Sequence, residues 1–180
     1  MMLIIDNFLP NSYFRELRDT MFSTNFPWNY NAATTPGVDN DVYFTHMGFK
    51  RDLENKTSPF NSPFYFDAKA VLYFIEEKAK FDIEVLYRIN CTMVLSKPQL
   101  FPAYEVSAFH VDYQIPHYTG ILYMNDCNGP TVLDGSRTIE FRENRFAIFD
   151  GSIPHAASIQ SDSTRRVNVV FNFSGSFKTP

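Results

Sequence analysis

The residues best suited to chemistry in this sequence are two histidines and an aspartate. His110 and Asp112 are separated by one residue, and His155 follows much later, after Pro154. In a β-strand, residues i and i+2 point to the same face, so one strand end can offer an imidazole and a carboxylate to a single metal ion. Two histidines and one carboxylate on one face of Fe(II) leave coordination positions open for chemistry. The sequence therefore predicts a metal site formed by His110, Asp112 and His155.

Each ligand candidate also has an ordinary structural interpretation. A His-x-Asp pair arises by chance in chains of this length, and a histidine after a proline is common in loops. His117 is a competing ligand candidate, although its position after Pro116 favours a surface role. The order of the motifs is more informative than any one of them. His-x-Asp is followed by strand-like segments, then by His155, then by two arginines at the head of a Val/Phe-rich run.

This order resembles the 2-oxoglutarate- and Fe(II)-dependent dioxygenases of the prolyl 4-hydroxylase-like group. The resemblance covers roughly residues 86–174, and its most specific part is the run Phe-Asp-Gly-Ser-Ile-Pro-His-Ala, residues 149–156. Such proteins usually carry a Gly-Gly-Glu-Thr-like stretch where this chain has Asn128-Gly129-Pro130-Thr131. The segments that carry the resemblance are Phe109–Asp112, Thr119–Asn125, Asn144–Ala157 and Arg166–Phe171.

The resemblance implies both cofactors and a reaction. Fe(II) would be held by the triad and chelated by 2-oxoglutarate, which is converted with O2 to succinate and CO2 while an organic substrate is hydroxylated. That substrate would be a peptide or protein side chain or a small molecule, and ascorbate would serve as reductant. The far carboxylate of 2-oxoglutarate needs a fixed cation, and arginine offers a planar fork matched to it. The resemblance assigns this role to Arg166 and makes Thr131 and Asn90 further cofactor-binding candidates.

Two adjacent arginines compete for the carboxylate, and strand alternation separates them. Neighbouring residues in a strand point to opposite faces. Arg166 shares its face with a mixed polar set, namely Asn168, Val170 and Asn172. Arg165 shares its face with an apolar stripe, namely Val167, Val169, Phe171 and Phe173. We therefore expect Arg166 in a wet cofactor pocket and Arg165 at a rim or surface position.

The elements that must position these residues are mostly strands. The chain has 180 residues, which suits one domain, and its 19 Phe and 10 Tyr favour sheet. Short strand-like segments separated by turn signals follow one another after residue 83. We predict a mainly β fold, a double-stranded β-helix (cupin-like jelly roll), with its core at residues 83–175. Residues 1–82 would support it with strands at 3–5 and 42–49 and with two helices, near 13–22 and 67–80, that brace one sheet.

Composition limits the class of protein and the cellular compartment that this sequence can be assigned to. The net charge of −4 and the lack of a basic run argue against a dedicated nucleic-acid binder. The sequence has no signal-peptide pattern, no apolar stretch long enough to span a membrane, and only two cysteines, so we expect a cytoplasmic protein. Two other functions remain open: a non-catalytic jelly-roll binding module, and a cupin-type metal enzyme that does not use 2-oxoglutarate. The substrate is not specified, although loops 23–41 and 96–106 are expected to shape the pocket mouth.

Overall fold

The computed structural model describes residues 2–32, 42–54, 61–96, 106–134 and 136–178. Within these ranges the chain forms strands that dominate the fold and a few short helices. The strands are Met2–Ile5 (β1), Asn29–Asn31 (β2), Tyr43–Lys50 (β3), Phe81–Leu95 (β4), Tyr118–Tyr123 (β5), Thr131–Leu133 (β6), Arg137–Ile139 (β7), Phe146–Asp150 (β8), His155–Ala157 (β9) and Arg165–Phe177 (β10). The helices are Asn11–Phe22 (α1), Phe64–Ala68 (α2) and Val71–Lys78 (α3).

The strands form two antiparallel sheets. The larger has seven strands in the order β1-β8-β5-β10-β4-β3-β2, and the smaller has three in the order β7-β6-β9. The long strand β10 lies at the centre of the larger sheet and pairs with β5 on one side and β4 on the other. This mainly β, two-sheet architecture is consistent with the predicted jelly roll. Strands β1, β2 and β3 come from the N-terminal region, so that region extends the larger sheet at both edges.

One face of the larger sheet is apolar and lies in the main core. The alternate residues Val167, Val169, Phe171 and Phe173 of β10 are at most 1% exposed and belong to one buried cluster. That cluster also contains Phe14, Leu17 and Met21 of α1 and Val71 and Ile75 of α3. The opposite face of β10 carries the polar residues, and a smaller apolar cluster around Tyr123 and Phe149 completes the interior there.

The second predicted helix is divided in two. Residues 67–80 were expected to form one helix, whereas α2 ends at Ala68 and α3 begins at Val71. Between them, Leu72 N donates to Lys69 O at 3.1 Å and Tyr73 N to Ala70 O at 3.2 Å, which are the i→i−3 bonds of a tighter turn. Ala68, Val71 and Ile75 are all buried around this turn.

Among the residues described, no helix is long and apolar enough to cross a membrane.

The segment that carries His110 is less regular than predicted. We expected a strand there, but residues 106–110 form two isolated bridges instead, Val106 with Ser158 just after β9 and His110 with His155 in β9. Between the bridges, a side chain replaces part of the strand ladder, because Ala157 N donates to Ser107 Oγ at 3.0 Å. The segment still lies beside β9 and so brings His110 to the smaller sheet.

Asn144 fixes the N-terminal turn to the turn before β8. Its side chain makes two hydrogen bonds with the backbone of Leu9, from Leu9 N to Oδ1 and from Nδ2 to Leu9 O, both 2.8 Å long. The residue is 4% exposed and has a φ of 55°, a left-handed conformation that asparagine tolerates better than most residues. It therefore combines a backbone role with two buried hydrogen bonds.

We expect Asn144→Ala to lower the free energy of unfolding by about 2–4 kcal/mol. Two buried backbone groups lose their partners, at roughly 1–3 kcal/mol each, and alanine is strained at positive φ. Asn144→Gly loses the same hydrogen bonds without the strain and should be less destabilising by about 1 kcal/mol. Urea denaturation of the three proteins gives the comparison, and an alanine variant as stable as the wild type would contradict this account.

Candidate metal centre and cofactor pocket

The two histidines of the predicted triad face each other across an antiparallel backbone pair. His110 N donates to His155 O at 3.1 Å, and His155 N donates to His110 O at 2.9 Å. Residues paired in this way project their side chains to the same side, and the two imidazole rings lie 4.7 Å apart between centroids. Asp112 joins them, with each of its oxygens 3.8 Å from one Nε2 atom. The structure thus brings the three ligand atoms to within 4.8 Å of one another.

The histidine rings are oriented as metal ligands. His110 Nδ1 lies 3.3 Å from Ala108 O, and His155 Nδ1 lies 3.2 Å from Ile153 O. A carbonyl oxygen only accepts hydrogen bonds, so each Nδ1 carries the proton and each Nε2 presents a lone pair to Asp112. Burial lowers the pKa of His155, against the opposing effect of the Asp112 carboxylate, and this favours the neutral ring. This orientation leaves both Nε2 atoms and the carboxylate facing one another, an arrangement that fits a metal cation.

Asp112 is held in its ionised form. Its side chain is only 7% exposed, and burial alone would raise its pKa. The Arg88 guanidinium, His155 and the Asn172 amide outweigh burial, and the pKa of Asp112 lies well below its ordinary value. The donor set is therefore two imidazoles and one carboxylate. This set suits a divalent first-row transition metal, and the same donor types form the facial triad of non-haem Fe(II) oxygenases.

The triad opens into a cavity of about 340 Å³ between the two sheets. Its wall on the larger sheet is polar, as expected for alternate residues on the inner face of β4 and β10. Cross-strand partners are bonded to each other, Arg88 Nε to Asn172 Oδ1 at 2.7 Å and Thr92 Oγ1 to Asn168 Oδ1 at 2.6 Å. Asn90 lies between them, opposite Val170. Its buried Oδ1 has no hydrogen-bond partner among the described residues, which leaves the amide to a polar ligand.

The other end of the cavity is marked by Arg166, which is 3% exposed. Its Nε donates to Gly129 O at 3.0 Å and its Nη2 to Thr131 Oγ1 at 2.8 Å. The guanidinium also lies 4.4 Å from the centre of the Phe141 ring. Within the described part of the chain no carboxylate forms an ion pair with it, and burial lowers its pKa. A buried cation without a protein anion is the environment that a carboxylate ligand would complete.

Thr131 completes this anion site together with a residue that the sequence did not reveal. Tyr123 Oη donates to Thr131 Oγ1 at 3.0 Å, so this oxygen accepts from both Tyr123 and Arg166. Its own hydroxyl proton remains for an acceptor in the cavity. Tyr123 is fully buried, and burial raises its pKa, which keeps the phenol neutral. Strand alternation in β5 was a usable signal, because Tyr123 shares a face with the cavity residue Ile121.

The remaining sequence candidates lie elsewhere. Arg165 points to the opposite face of β10, where its guanidinium lies 3.9 Å from the centre of the Phe22 ring of α1. His117 is not at the surface as expected. It is 5% exposed, packs against Gly151, and does not join the triad. Of the two loops expected to shape the mouth, residues 33–41 and 97–105 lie outside the described residues.

Comparison with solved structures finds the same architecture in known oxygenases. An oxidoreductase of the 2OG-Fe(II) oxygenase family from Burkholderia pseudomallei aligns with a TM-score of 0.68 at 11% identity, over 99% of this chain and 89% of that chain. A prolyl hydroxylase from Trichoplax adhaerens aligns with a TM-score of 0.61 at 12% identity, over 96% of this chain and 82% of that chain. It was solved in complex with a hypoxia inducible factor oxygen degradation domain peptide fragment. The non-heme alpha ketoglutarate dependent epimerase SnoN from nogalamycin biosynthesis aligns with a TM-score of 0.60 at 11% identity, over 96% of this chain and 77% of that chain.

Sequence comparison adds nothing to this, since no family model and no curated protein matches the chain. At identities this low, the structural likeness speaks for the fold. The chain is built on the jelly-roll scaffold of the 2OG-Fe(II) oxygenases and prolyl hydroxylases.

Proposed function

We propose that this protein is a 2-oxoglutarate- and Fe(II)-dependent dioxygenase that hydroxylates an organic substrate. The observation that carries the proposal is the pairing of two features in one cavity. It is lined both by the triad His110, Asp112 and His155 and by the buried Arg166, which has no carboxylate partner among the described residues. A cupin-type metal enzyme without 2-oxoglutarate would need the triad and not the cation. A binding module would need neither in this arrangement.

The side chains divide the cofactor binding among them. The triad would hold Fe(II) on one face and leave its other positions to 2-oxoglutarate and O2. Arg166 and the Thr131 hydroxyl would bind the far carboxylate of 2-oxoglutarate, and the Asn90 amide would contact the cofactor from β4. When bound, iron and 2-oxoglutarate together supply the oxidising power, with succinate and CO2 as products. The apolar wall residues, Ile121, Ala156 and Val170, would keep water from the reacting centre.

The substrate class follows from the same proposal. We infer a peptide or protein side chain, or a small molecule, hydroxylated at carbon. The Trichoplax neighbour was solved with a peptide, whereas the epimerase SnoN was solved with nogalamycin RO, so the scaffold accommodates either kind of ligand. We also propose ascorbate as the reductant.

Cys91 and Cys127 are free thiols, which supports a reducing compartment such as the cytoplasm.

The reaction itself gives the direct test. Purified protein with Fe(II), ascorbate and 2-oxoglutarate should form succinate slowly even without substrate, because turnover uncoupled from hydroxylation is chemically allowed. His155→Ala and a chelator should each abolish it. Screening peptides, amino acids and nucleotides for faster succinate release would then identify the substrate class. If 2-oxoglutarate is neither consumed nor able to shift the melting curve of the metal-loaded protein, the binding-module alternative replaces this proposal.

A further inference from the structure

Arg88 and Asn172 enclose the carboxylate of Asp112. Arg88 Nη2 lies 2.6 Å from Asp112 Oδ1, and Asn172 Nδ2 donates to Oδ2 at 2.8 Å. The ring closes through the bond from Arg88 Nε to Asn172 Oδ1, 2.7 Å long. The amide orientation is fixed chemically, because a guanidinium only donates and a carboxylate only accepts. Asn172 Nδ2 also lies 3.2 Å from Thr119 Oγ1. Both oxygens of this metal ligand are therefore engaged by the protein itself.

The charge of the cavity is unusual for a cation site. Its charged lining residues, among those described, are the two arginines Arg88 and Arg166 and the single carboxylate of Asp112. These three side chains alone give the wall a surplus of one positive charge. A divalent cation that enters alone meets this surplus and must share Asp112 with Arg88. Like charges at such short range are strongly unfavourable in a partly buried site.

We propose that Arg88 is a built-in counter-ion for Asp112 that competes with the metal. In the metal-free protein it neutralises the buried carboxylate and keeps the site folded. When free metal is present, Arg88 lowers the affinity of the site for that metal, so tight metal binding depends on 2-oxoglutarate. This inference rests on the proposed function for the identity of both ligands. Arg88 acts through Asp112 and is therefore a positioning residue.

The dependence on 2-oxoglutarate follows from charge balance. The cofactor is a dianion, and its two charges offset those of the metal in a cavity that already holds two guanidinium groups. Metal and cofactor therefore stabilise each other, and this coupling is reciprocal by thermodynamic necessity. Removing the charge of Arg88 removes part of the unfavourable interaction that the cofactor relieves. Asn172 orients Asp112 without any charge, so its removal should not have this effect.

The test replaces Arg88 with neutral residues and measures metal binding directly, with Mn(II) as a redox-inert probe followed by electron paramagnetic resonance. Arg88→Gln and Arg88→Met should bind Mn(II) about tenfold more tightly than the wild type in the absence of 2-oxoglutarate. The factor by which 2-oxoglutarate tightens Mn(II) binding should shrink correspondingly. Arg88→Lys keeps the charge and should stay within about threefold of the wild type.

Thermal unfolding supplies a second readout. Without metal, Arg88→Gln should melt about 5 °C or more below the wild type, because a buried carboxylate has lost its cation. Mn(II) should restore most of this loss, since the metal replaces the missing charge. Thr92→Val is the matched control, because it breaks the neighbouring Thr92–Asn168 pair on the same two strands. Its melting temperature should fall, Mn(II) should raise it only as much as in the wild type, and Asn172→Ala should not tighten Mn(II) binding.

The outcomes separate this inference from the proposed function. If the wild type and both neutral variants all fail to bind Mn(II), the assignment of the metal site to this triad is wrong. If the wild type binds Mn(II) and the neutral variants bind it equally or more weakly, Arg88 does not compete and only this inference falls. Neutral variants that do not fold without metal should fold when Mn(II) is present during refolding. Failure to fold with Mn(II) also overturns the inference.

Discussion

Replacing Arg166 with alanine is expected to weaken the binding of 2-oxoglutarate by a factor of about one hundred or more, with metal binding nearly intact. The guanidinium is almost fully buried, and its hydrogen bonds to Gly129 O and Thr131 Oγ1 fix its direction. A desolvated charge pair that loses one partner costs roughly 3–5 kcal/mol, and a hundredfold loss of affinity corresponds to about 2.7 kcal/mol. Titration of 2-oxoglutarate into the anaerobic Fe(II) form, followed by its charge-transfer absorbance, measures the effect.

Arg165 provides the matched control for that experiment. It is adjacent in sequence, carries the same charge, and packs on Phe22 on the opposite face of β10. Arg165→Ala should change the dissociation constant only a few-fold, because an exposed or half-exposed charge contributes about 0–1 kcal/mol. Mn(II) affinity, measured in parallel, should be unchanged in both variants. A larger loss in Arg165→Ala than in Arg166→Ala would refute the assignment of the anion site.

Asp112→Ala is expected to abolish the stabilisation of the protein by metal. A ligand that binds only the native state stabilises it by mass action, by about 2.7 kcal/mol at one hundred times its dissociation constant. For a chain of this size that corresponds to a rise in melting temperature of about 5–10 °C. Anaerobic Fe(II) or Mn(II) should produce such a rise in the wild type. Without the carboxylate, two imidazoles remain and the rise should disappear.

A second arginine-paired aspartate controls for the loss of an ion pair. Asp6 binds Arg145 through two hydrogen bonds of 2.6 and 3.0 Å, outside the cavity. Asp6→Ala should lower the melting temperature somewhat and keep the full metal-induced rise. If Asp112→Ala also keeps that rise, Asp112 is not a ligand and the site must be sought among other side chains.

Residue spacing within single strands was the part of the site that the sequence could predict. His110 and Asp112 were expected on one side because they are two apart, and both reach the site although their segment is not a regular strand. Arg165 and Arg166 separate because they are neighbours, and β10 indeed presents one to α1 and the other to the cavity. These inferences need only the geometry of one strand, which a local pattern determines.

Pairing between strands was beyond the reach of the sequence. Arg88 meets Asn172 because of the register between β4 and β10, and that register shifts next to this pair, between Asn172 and Phe173. A single sequence gives no access to such an offset. For the same reason the bond from Arg166 to Gly129 and the contact between Thr131 and Tyr123 were not foreseen. The break between α2 and α3 was likewise hidden, since residues 67–80 have an uninterrupted apolar helical pattern.

The placement of His110 on a weakly paired segment would have a kinetic consequence for a bound metal. Residues 106–110 are attached to β9 and the residue after it by two isolated bridges, one of which is the His110–His155 pair itself. Such a segment opens locally at a free energy well below that of global unfolding. A metal bound by His110 and His155 would hold these two backbone segments together, and we expect it to leave when they separate. We therefore expect the lifetime of a bound metal to depend on how often this short backbone contact opens, separately from the strength of the metal–ligand bonds.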